Sequence, residues 1–199
     1  MDHYFTIDKS SIAEFKDRGS RFIAHAFPVS DADSFKKQLQ LLKKEHSKAV
    51  HHCFAYRLGL TGDLFRVSDD GEPSGTAGKP ILGQIDSKKL TDTAIIVVRY
   101  FGGSLLGVPG LINAYKTSSA LVLQTIPAIQ KQIEIPYSLE VDYTGVNDVM
   151  QIIKQFNCNV IEQEMQLFSL IKVGIPKNRL EEVLYRLTDL RNVTIRKLL

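Results

Sequence analysis

Acidic, basic and glycine residues capable of chemistry are concentrated in residues 68 to 82, which read SDDGEPSGTAGKPIL. Asp69, Asp70 and Glu72 could exchange protons, and Lys79 could neutralise a phosphate. A second stretch places Arg99 three residues ahead of two adjacent glycines. Eight of the thirteen glycines lie in residues 71–83 and 102–110, here named the first and second glycine segments. Glycine permits positive φ and close approach of a backbone, so both segments are candidates for a site.

The glycine segments do not fit the nucleotide-binding motifs. The spacing from Gly71 to Gly78 and Lys79 is too long for a P-loop, and Pro80 stands where Ser or Thr should hold magnesium. The chain contains no Gly-x-Gly, which the dinucleotide fingerprint requires. We therefore expect neither an ATPase nor a dehydrogenase, and no cofactor.

Both segments lead into predicted helices, one near residues 76–85 and one from Gly110. Free amides at helix starts bind phosphate or carboxylate groups, with nearby cations supplying charge. The predicted surface for an anion or RNA consists of Gly71, Gly75, Gly78, Lys79, Arg99, Gly102, Gly103 and Lys116. An architectural alternative remains open, in which the two loops close the sheet and Asp69, Asp70 and Glu72 cap backbone amides.

The sequence HHC at residues 51–53 suggests metal or thiol chemistry. In a strand, His51 and Cys53 share one face and His52 takes the other. No zinc-ligand spacing is present, so we predict no metal site. A buried cysteine is usually a small apolar residue, which makes a nucleophilic Cys53 the weaker interpretation. An acid-base site would use His52, Asp69, Asp70 and Glu72, although adjacent acids in such a loop commonly serve as caps.

Three aromatic residues border the second glycine segment: Tyr100, Phe101 and Tyr115. Exposed aromatic rings beside Arg99 could stack on RNA bases. The favoured interpretation is that Tyr115 lies in the buried stripe of its helix and that Phe101 belongs to the core at the end of a strand.

Composition bounds the class of protein. The chain has 199 residues, 44% hydrophobic and 24% charged, which is typical of globular domains. Its net charge of +3 arises in the first 130 residues, and the remainder is balanced. The N-terminus lacks the features of a signal peptide, no apolar run is long enough for a membrane span, and the two cysteines form no disulfide framework. We expect a cytoplasmic protein with no membrane partner.

Hydrophobic periodicity predicts two domains, residues 1–130 and 131–199. In the first, a strand from Ser20, a helix over 31–46, a strand pair over 51–67 and a buried strand over 93–101 surround the glycine segments. In the second, alternation over 133–143, a helical stripe over 146–156, strands over 159–164 and 167–175, a helix after Pro176 and a last short strand give the order βαββαβ. This order is that of the ferredoxin-like unit.

Four ordered motifs, SRFIAHAFPV, HHCFAYRLG, SDDGEPSGTAGKPIL and VVRYFGGSLLGVPGLINAY, resemble the IMPACT family (UPF0029) and its bacterial YigZ-like branch. The resemblance covers about residues 18 to 125. It implies a first domain with the ribosomal-protein-S5-domain-2-like fold and a ferredoxin-like second domain resembling domain V of elongation factor G, hence an α+β class. The N-terminal RWD domain of eukaryotic members is expected to be absent.

The resemblance also implies a function, and in one segment this sequence differs from the family pattern. The family is linked to translational control and proposed to bind nucleic acid or ribosomes, without an established catalytic activity. This chain has Leu105 where the family pattern places a lysine and Pro109 in place of a glycine. We therefore expect a non-enzymatic regulator that binds RNA, the ribosome or a translation-associated protein. An acid-base hydrolase-type enzyme and a protein–protein adaptor remain the alternatives.

Overall fold

The computed structural model describes residues 2–165 and 168–198, which form a mixed α+β structure. The chain divides into two compact units. One runs from Tyr4 to Lys131, and the other contains the chain from Gln132 onward together with the N-terminal residues up to His3. The elements up to the boundary are β1 (His3–Thr6), β2 (Ser11–Asp17), β3 (Ser20–Pro28), α1 (Ala32–Glu45), β4 (His51–Leu58), β5 (Leu64–Ser68), α2 (Gly78–Ser87), β6 (Thr93–Tyr100), α3 (Gly107–Gln124) and β7 (Ile129–Gln132).

A five-stranded antiparallel sheet organises the first unit. Its strand order is β2-β3-β6-β4-β5, and β1 pairs with β7 in a separate two-stranded sheet. The central strand β6 is buried from Thr93 to Arg99, as its continuous apolar run predicts. Helices α2 and α3 cover one face of the sheet, where Phe22, Val97 and Tyr115 lie in one core cluster.

Helix α1 covers the opposite face through Phe35 and Leu42, which belong to a second cluster with strand residues such as Phe54. The helix begins where Asp31 accepts hydrogen bonds from the backbone amides of Asp33 (3.0 Å) and Ser34 (2.7 Å). This cap fixes the start of α1 close to its predicted position.

The second unit has the predicted order βαββαβ. Its elements are β8 (Glu134–Asp142), α4 (Val146–Gln155), β9 (Asn159–Met165), β10 (Phe168–Pro176), a 3-10 turn (Lys177–Arg179), α5 (Leu180–Thr188) and β11 (Val193–Lys197). The antiparallel sheet has the order β11-β8-β10-β9. Leu139 and Ile171 from the sheet and Val149 and Leu187 from the helices belong to its core.

Two details differ from the sequence predictions, and a third prediction is not tested. Helical structure follows Pro176 as predicted, but Pro176 itself ends β10 opposite Glu134 and lies outside the first helical turn, and α5 starts only after the 3-10 turn. Strands β1, β2 and β7 were not predicted, and in β2 the exposed Ile12 (61%) obscures the alternation. The predicted start of one strand at Leu167 lies outside the described residues.

Candidate binding surface at the glycine segments

Asp69 occupies the start of helix α2. Its carboxylate accepts hydrogen bonds from the backbone amides of Gly75 (2.8 Å), Ala77 (3.0 Å) and Gly78 (2.8 Å). Burial raises the pKa of Asp69, but the three amide donors outweigh that effect and hold it below the ordinary value of 3.8. The amides of Ala77 and Gly78 at the start of α2 are therefore already bound by the protein's own carboxylate.

Asp70 fastens the same loop to strand β4. One carboxylate oxygen accepts from the backbone amide of His52 at 2.6 Å, and the other accepts from Lys43 at 3.3 Å. Its backbone carbonyl lies 2.8 Å from Nδ1 of His51, which must be the donor there. The residue adopts a positive φ of 43°, a conformation that aspartate tolerates better than most residues.

Glu72 points inward and forms a buried ion pair. Its Oε1 lies 2.5 Å from Nη1 of Arg99 and 2.7 Å from the hydroxyl of Tyr115, which donates to it. The side chains of Arg99 and Glu72 are only 6% and 3% exposed. The guanidinium also lies 5.4 Å and 5.8 Å from the ring centroids of Phe22 and Phe101. This pairing joins the first glycine segment to the end of β6 and to α3.

The positions of these acids affect two predictions: that Arg99 binds an external phosphate, and that the acids form an acid-base site. Arg99 was predicted to supply charge to an external phosphate, but it is 5% exposed and paired with Glu72, so we leave it out of the exposed surface. In the acid-base alternative, Asp69 and Asp70 are occupied by protein donors. His52 is buried, and its Nδ1 lies 3.9 Å from Oδ2 of Asp70, the oxygen that already accepts from the His52 backbone amide. These contacts match the architectural alternative.

Cys53 lies beneath this loop and does not have the environment of a nucleophile. Its sulfur is 3.0 Å from the carbonyl of Asp69 and 3.2 Å from the hydroxyl of Tyr115. Burial raises the pKa of the Cys53 thiol well above its ordinary value. The thiol therefore stays protonated at neutral pH and acts as a small packed side chain.

Several glycines of the two segments are required by geometry. A Cβ on Gly102 would overlap the backbone of Gly19 and Ser20, and a Cβ on Gly78 would lie 2.8 Å from the backbone nitrogen of Ser68. Gly102 also donates its amide to the hydroxyl of Ser20 at 3.1 Å. Positive φ values are found at Gly71, Gly75 and Gly103, which are 92°, 77° and 87°.

Five of the residues predicted to form the anion surface remain exposed, two lysines and three glycines. Lys79 and Lys116 are exposed, as are Gly71, Gly102 and Gly103, whereas Gly75 is half-buried and Gly78 is buried. We name Gly71, Lys79, Gly102, Gly103 and Lys116 the glycine surface. At the start of α3, the described residues provide no side-chain cap.

The three aromatic residues separate. Tyr115 is fully buried and lies in the core, as predicted, and Tyr100 is half-buried with its hydroxyl 2.9 Å from Nδ1 of His46. The prediction that Phe101 is a core residue was wrong, because its side chain is 49% exposed. Phe101 follows the last residue of β6, where the sheet no longer covers it.

Sequence reasoning missed the link between Glu72, Arg99 and Tyr115. The members are 27 and 43 residues apart from Glu72, so no local spacing reveals them. The signal available was indirect: an arginine at the end of a run of buried apolar residues needs a buried acid as its partner.

Two further classes of site are missing from the described part of the chain. Among residues 2–165 and 168–198, no three His, Cys, Asp or Glu side chains are placed to hold a metal ion. None of the helices described has the length and apolarity that crossing a membrane requires.

Comparison with known proteins places this geometry in a family. Residues 18–123 match the model of the Impact N-terminal domain, which spans both glycine segments. The chain is 33% identical to IMPACT family member YigZ of Escherichia coli over 85% of this chain and 84% of that protein. It is 32% identical to an IMPACT family member of Haemophilus influenzae over 95% and 93%. A crystal structure of a hypothetical protein matches with a TM-score of 0.76 and 28% identity, covering 100% of this chain and 98% of that one.

The fold and the glycine segments thus define a two-unit α+β protein with an Impact N-terminal domain. The chain belongs to the IMPACT family, in its bacterial YigZ-like branch.

Proposed function

We propose that this chain is a non-enzymatic, cytoplasmic regulator of translation that binds RNA, the ribosome or a ribosome-associated protein through the glycine surface. The family link to translational control supports the first part of the proposal. The second part rests on the distribution of charge around the glycine segments.

One observation carries the binding surface. The three acids of the first segment, Asp69, Asp70 and Glu72, all direct their carboxylates at protein donors. Lys79 and Lys116 remain exposed. The fully exposed charged side chains of the glycine surface are therefore the two lysines, which favours a negatively charged partner. These lysines replace the cation that the family pattern places at position 105.

The same proposal includes the two fold assignments. The strand order β11-β8-β10-β9 with helices α4 and α5 supports a ferredoxin-like C-terminal domain over 131–199. The five-stranded sheet with its three helices is the candidate for the ribosomal-protein-S5-domain-2-like domain over 1–130.

Co-sedimentation with ribosomes over a salt series tests the proposal. Binding should weaken between roughly 50 and 200 mM salt, and both Lys79→Ala and Lys116→Ala should reduce the slope. Lys88→Ala is the matched control, because Lys88 is an exposed lysine at the other end of α2. Undetectable binding at low salt would reject the ribosome version.

Nuclease treatment of the ribosomes separates the partners. Loss of binding after RNA digestion favours contact with RNA, and binding that survives both digestion and high salt favours a protein adaptor. The acid-base enzyme is not carried forward, because the contacts of Asp69, Asp70 and His52 described above are structural.

A further inference from the structure

The turn before α3 and the first turns of that helix expose a row of large apolar side chains. Phe101, Leu105, Val108 and Ile112 are 49%, 84%, 51% and 39% exposed. We name these four residues the apolar row. Val108 and Ile112 are four residues apart in α3, so their side chains lie on one face of the helix, and Leu105 and Phe101 precede that face in the turn before it.

Packing and a hydrogen bond hold the backbone of the apolar row in place. Leu106, next to the most exposed member, is 7% exposed and packs in the core cluster with Leu111. The backbone before it is tied to the β2–β3 turn by the hydrogen bond from Gly102 to Ser20. Leu106 packs in the core, and the adjacent Leu105 is exposed to solvent. A preformed apolar surface loses little entropy when a partner covers it.

The segment that carries the row has a positive charge of its own. Residues 101–124 contain no Asp or Glu, and their one charged side chain is Lys116, four residues beyond Ile112. The first turn of α3 carries no acid, so the positive end of its helix dipole is unneutralised there. The acids of the neighbouring loop are occupied internally by Arg99 and backbone amides.

The exposed apolar side chains and the positive charge together limit the kind of molecule that can bind the apolar row. A second copy docking the same face would bring like charges together, which opposes self-association. The phosphates of a nucleic acid could pair with the exposed lysines. Single-stranded nucleic acid, however, also stacks its bases on aromatic rings, and three of the four members of the apolar row are aliphatic. A protein segment can supply both apolar side chains and carboxylates.

We propose that the apolar row docks a protein segment in which apolar side chains at helical spacing are bordered by Asp or Glu. The apolar side chains cover Leu105, Val108 and Ile112, and the carboxylates lie against Lys116 and the start of α3. The inference rests on the proposed function in one respect: the segment belongs to the translation-associated partner.

A display library of random peptides, selected against the full-length chain, tests the chemistry even though the partner is unidentified. Selection is run in parallel against the wild type and the variant Leu105→Ser with Val108→Ser. Enriched peptides should carry apolar residues at spacings of three and four with acidic neighbours. Enrichment that is absent, or equal on the variant, overturns the proposal.

The binding affinity of synthetic peptides from the selection is then measured on the wild type and the variants. The double variant should weaken binding at least about tenfold, and Lys116→Ala should weaken it several-fold. Leu64→Ser is the matched control, because Leu64 is 61% exposed on β5, outside the row, and should leave binding unchanged. Far-ultraviolet circular dichroism of each variant shows that the fold is retained. Equal loss in the control, or tighter binding by peptides with Lys in place of Glu, contradicts the proposal.

Selection of a random RNA pool against the wild type and the double variant tests whether the apolar row binds nucleic acid instead. RNA that depends on Leu105 and Val108, with no peptide enrichment, would assign the row to nucleic acid and reject a protein occupant. Failure of the proposed function is seen separately, as loss of ribosome co-sedimentation while peptide binding persists.

Discussion

At the residue scale, buried polar groups explain why a loop with three acids is compatible with a cationic surface. Glu72 would be costly to bury alone, but Arg99 neutralises it and Tyr115 donates a further hydrogen bond. The guanidinium in turn packs against the ring of Phe22. Each group is therefore fixed by another that lies far away in the sequence.

The first prediction concerns this buried pair. Glu72→Gln leaves Arg99 charged and unpaired in the interior, so the free energy of unfolding should fall by about 3–5 kcal/mol. Tyr115→Phe removes the hydrogen bond to Glu72 and the one accepted from the Cys53 thiol, and should cost about 1–2 kcal/mol. Urea unfolding measures both.

The double variant Glu72→Gln with Arg99→Met is the control. It removes both charges, so it should be more stable than Glu72→Gln alone. If the double variant loses the sum of the two single costs, the pair does not interact and this account of the loop is wrong.

Three histidines form a second buried polar group, on the face of the sheet that α1 covers. The rings of His25 and His46 lie 5.5 Å apart, and within the described residues the Nε2 atoms of His25, His46 and His52 have no hydrogen-bond partner. Burial lowers the pKa of His25, and the nearby His46 lowers it further. Burial also lowers the pKa of His52, although Asp70 acts in the opposite direction.

A pH dependence of stability follows. His25 and His52 bind a proton more weakly in the folded chain than in the unfolded chain, where a histidine has a pKa near 6.5. Acidification below 6.5 should therefore lower the free energy of unfolding, by at most about 1.4 kcal/mol per pH unit for each histidine. Above that pH these groups should have no effect. Urea unfolding between about pH 7.5 and pH 5 measures the slope.

His25→Leu should flatten that slope, because it removes one titrating group from an apolar face without leaving a polar atom buried. His3→Gln, in β1 and outside the cluster, should keep the wild-type slope. Glu45 and Asp70 favour the protonated histidines and Lys43 opposes them, so they moderate the effect without reversing its sign. An unchanged slope in His25→Leu would contradict the prediction.

At the scale of the elements, the hydrophobic pattern was sufficient where an element is buried on one face with clear periodicity or is buried on both faces. The stripe of Val149 and Ile153 predicted α4, and the unbroken run before Arg99 predicted β6. Strands β1 and β2 were missed because their exposed positions include the apolar residues Phe5 and Ile12, and β7 was missed because its four residues contain a single apolar one. The candidate site was predicted in location only. The inward direction of its acids depends on tertiary contacts across β4, β6 and α3 that no local pattern encodes.

A pair of glycine substitutions distinguishes architectural glycines from dispensable ones. Gly102→Ala places a methyl group against the backbone of Gly19 and Ser20, so the β2–β3 turn must move, and stability should fall by roughly 2 kcal/mol or more. Gly83→Ala, inside α2 with no atom within 4 Å of the added Cβ, should raise stability by up to about 1 kcal/mol. Urea unfolding of the two variants measures the contrast. Equal effects would mean that the close approach at Gly102 is not maintained in solution.

At the scale of the whole molecule, each unit has its own buried core. Ile95 lies in the core of the unit from Tyr4 to Lys131, and Leu139 lies in the core of the unit from Gln132 onward, both with 0% exposure. Separate cores allow separate cooperative unfolding, which the proposed domains 1–130 and 131–199 require.

Calorimetry of the full-length chain tests this domain proposal. We expect two thermal transitions, one for each domain. Ile95→Ala and Leu139→Ala each leave a cavity that costs about 2–5 kcal/mol, so each should lower the midpoint of one transition and leave the other in place. A single transition that both variants lower equally would show that the chain unfolds as one cooperative unit. The exposed substitution Leu64→Ser supplies the baseline, because it removes no buried side chain and should shift neither transition.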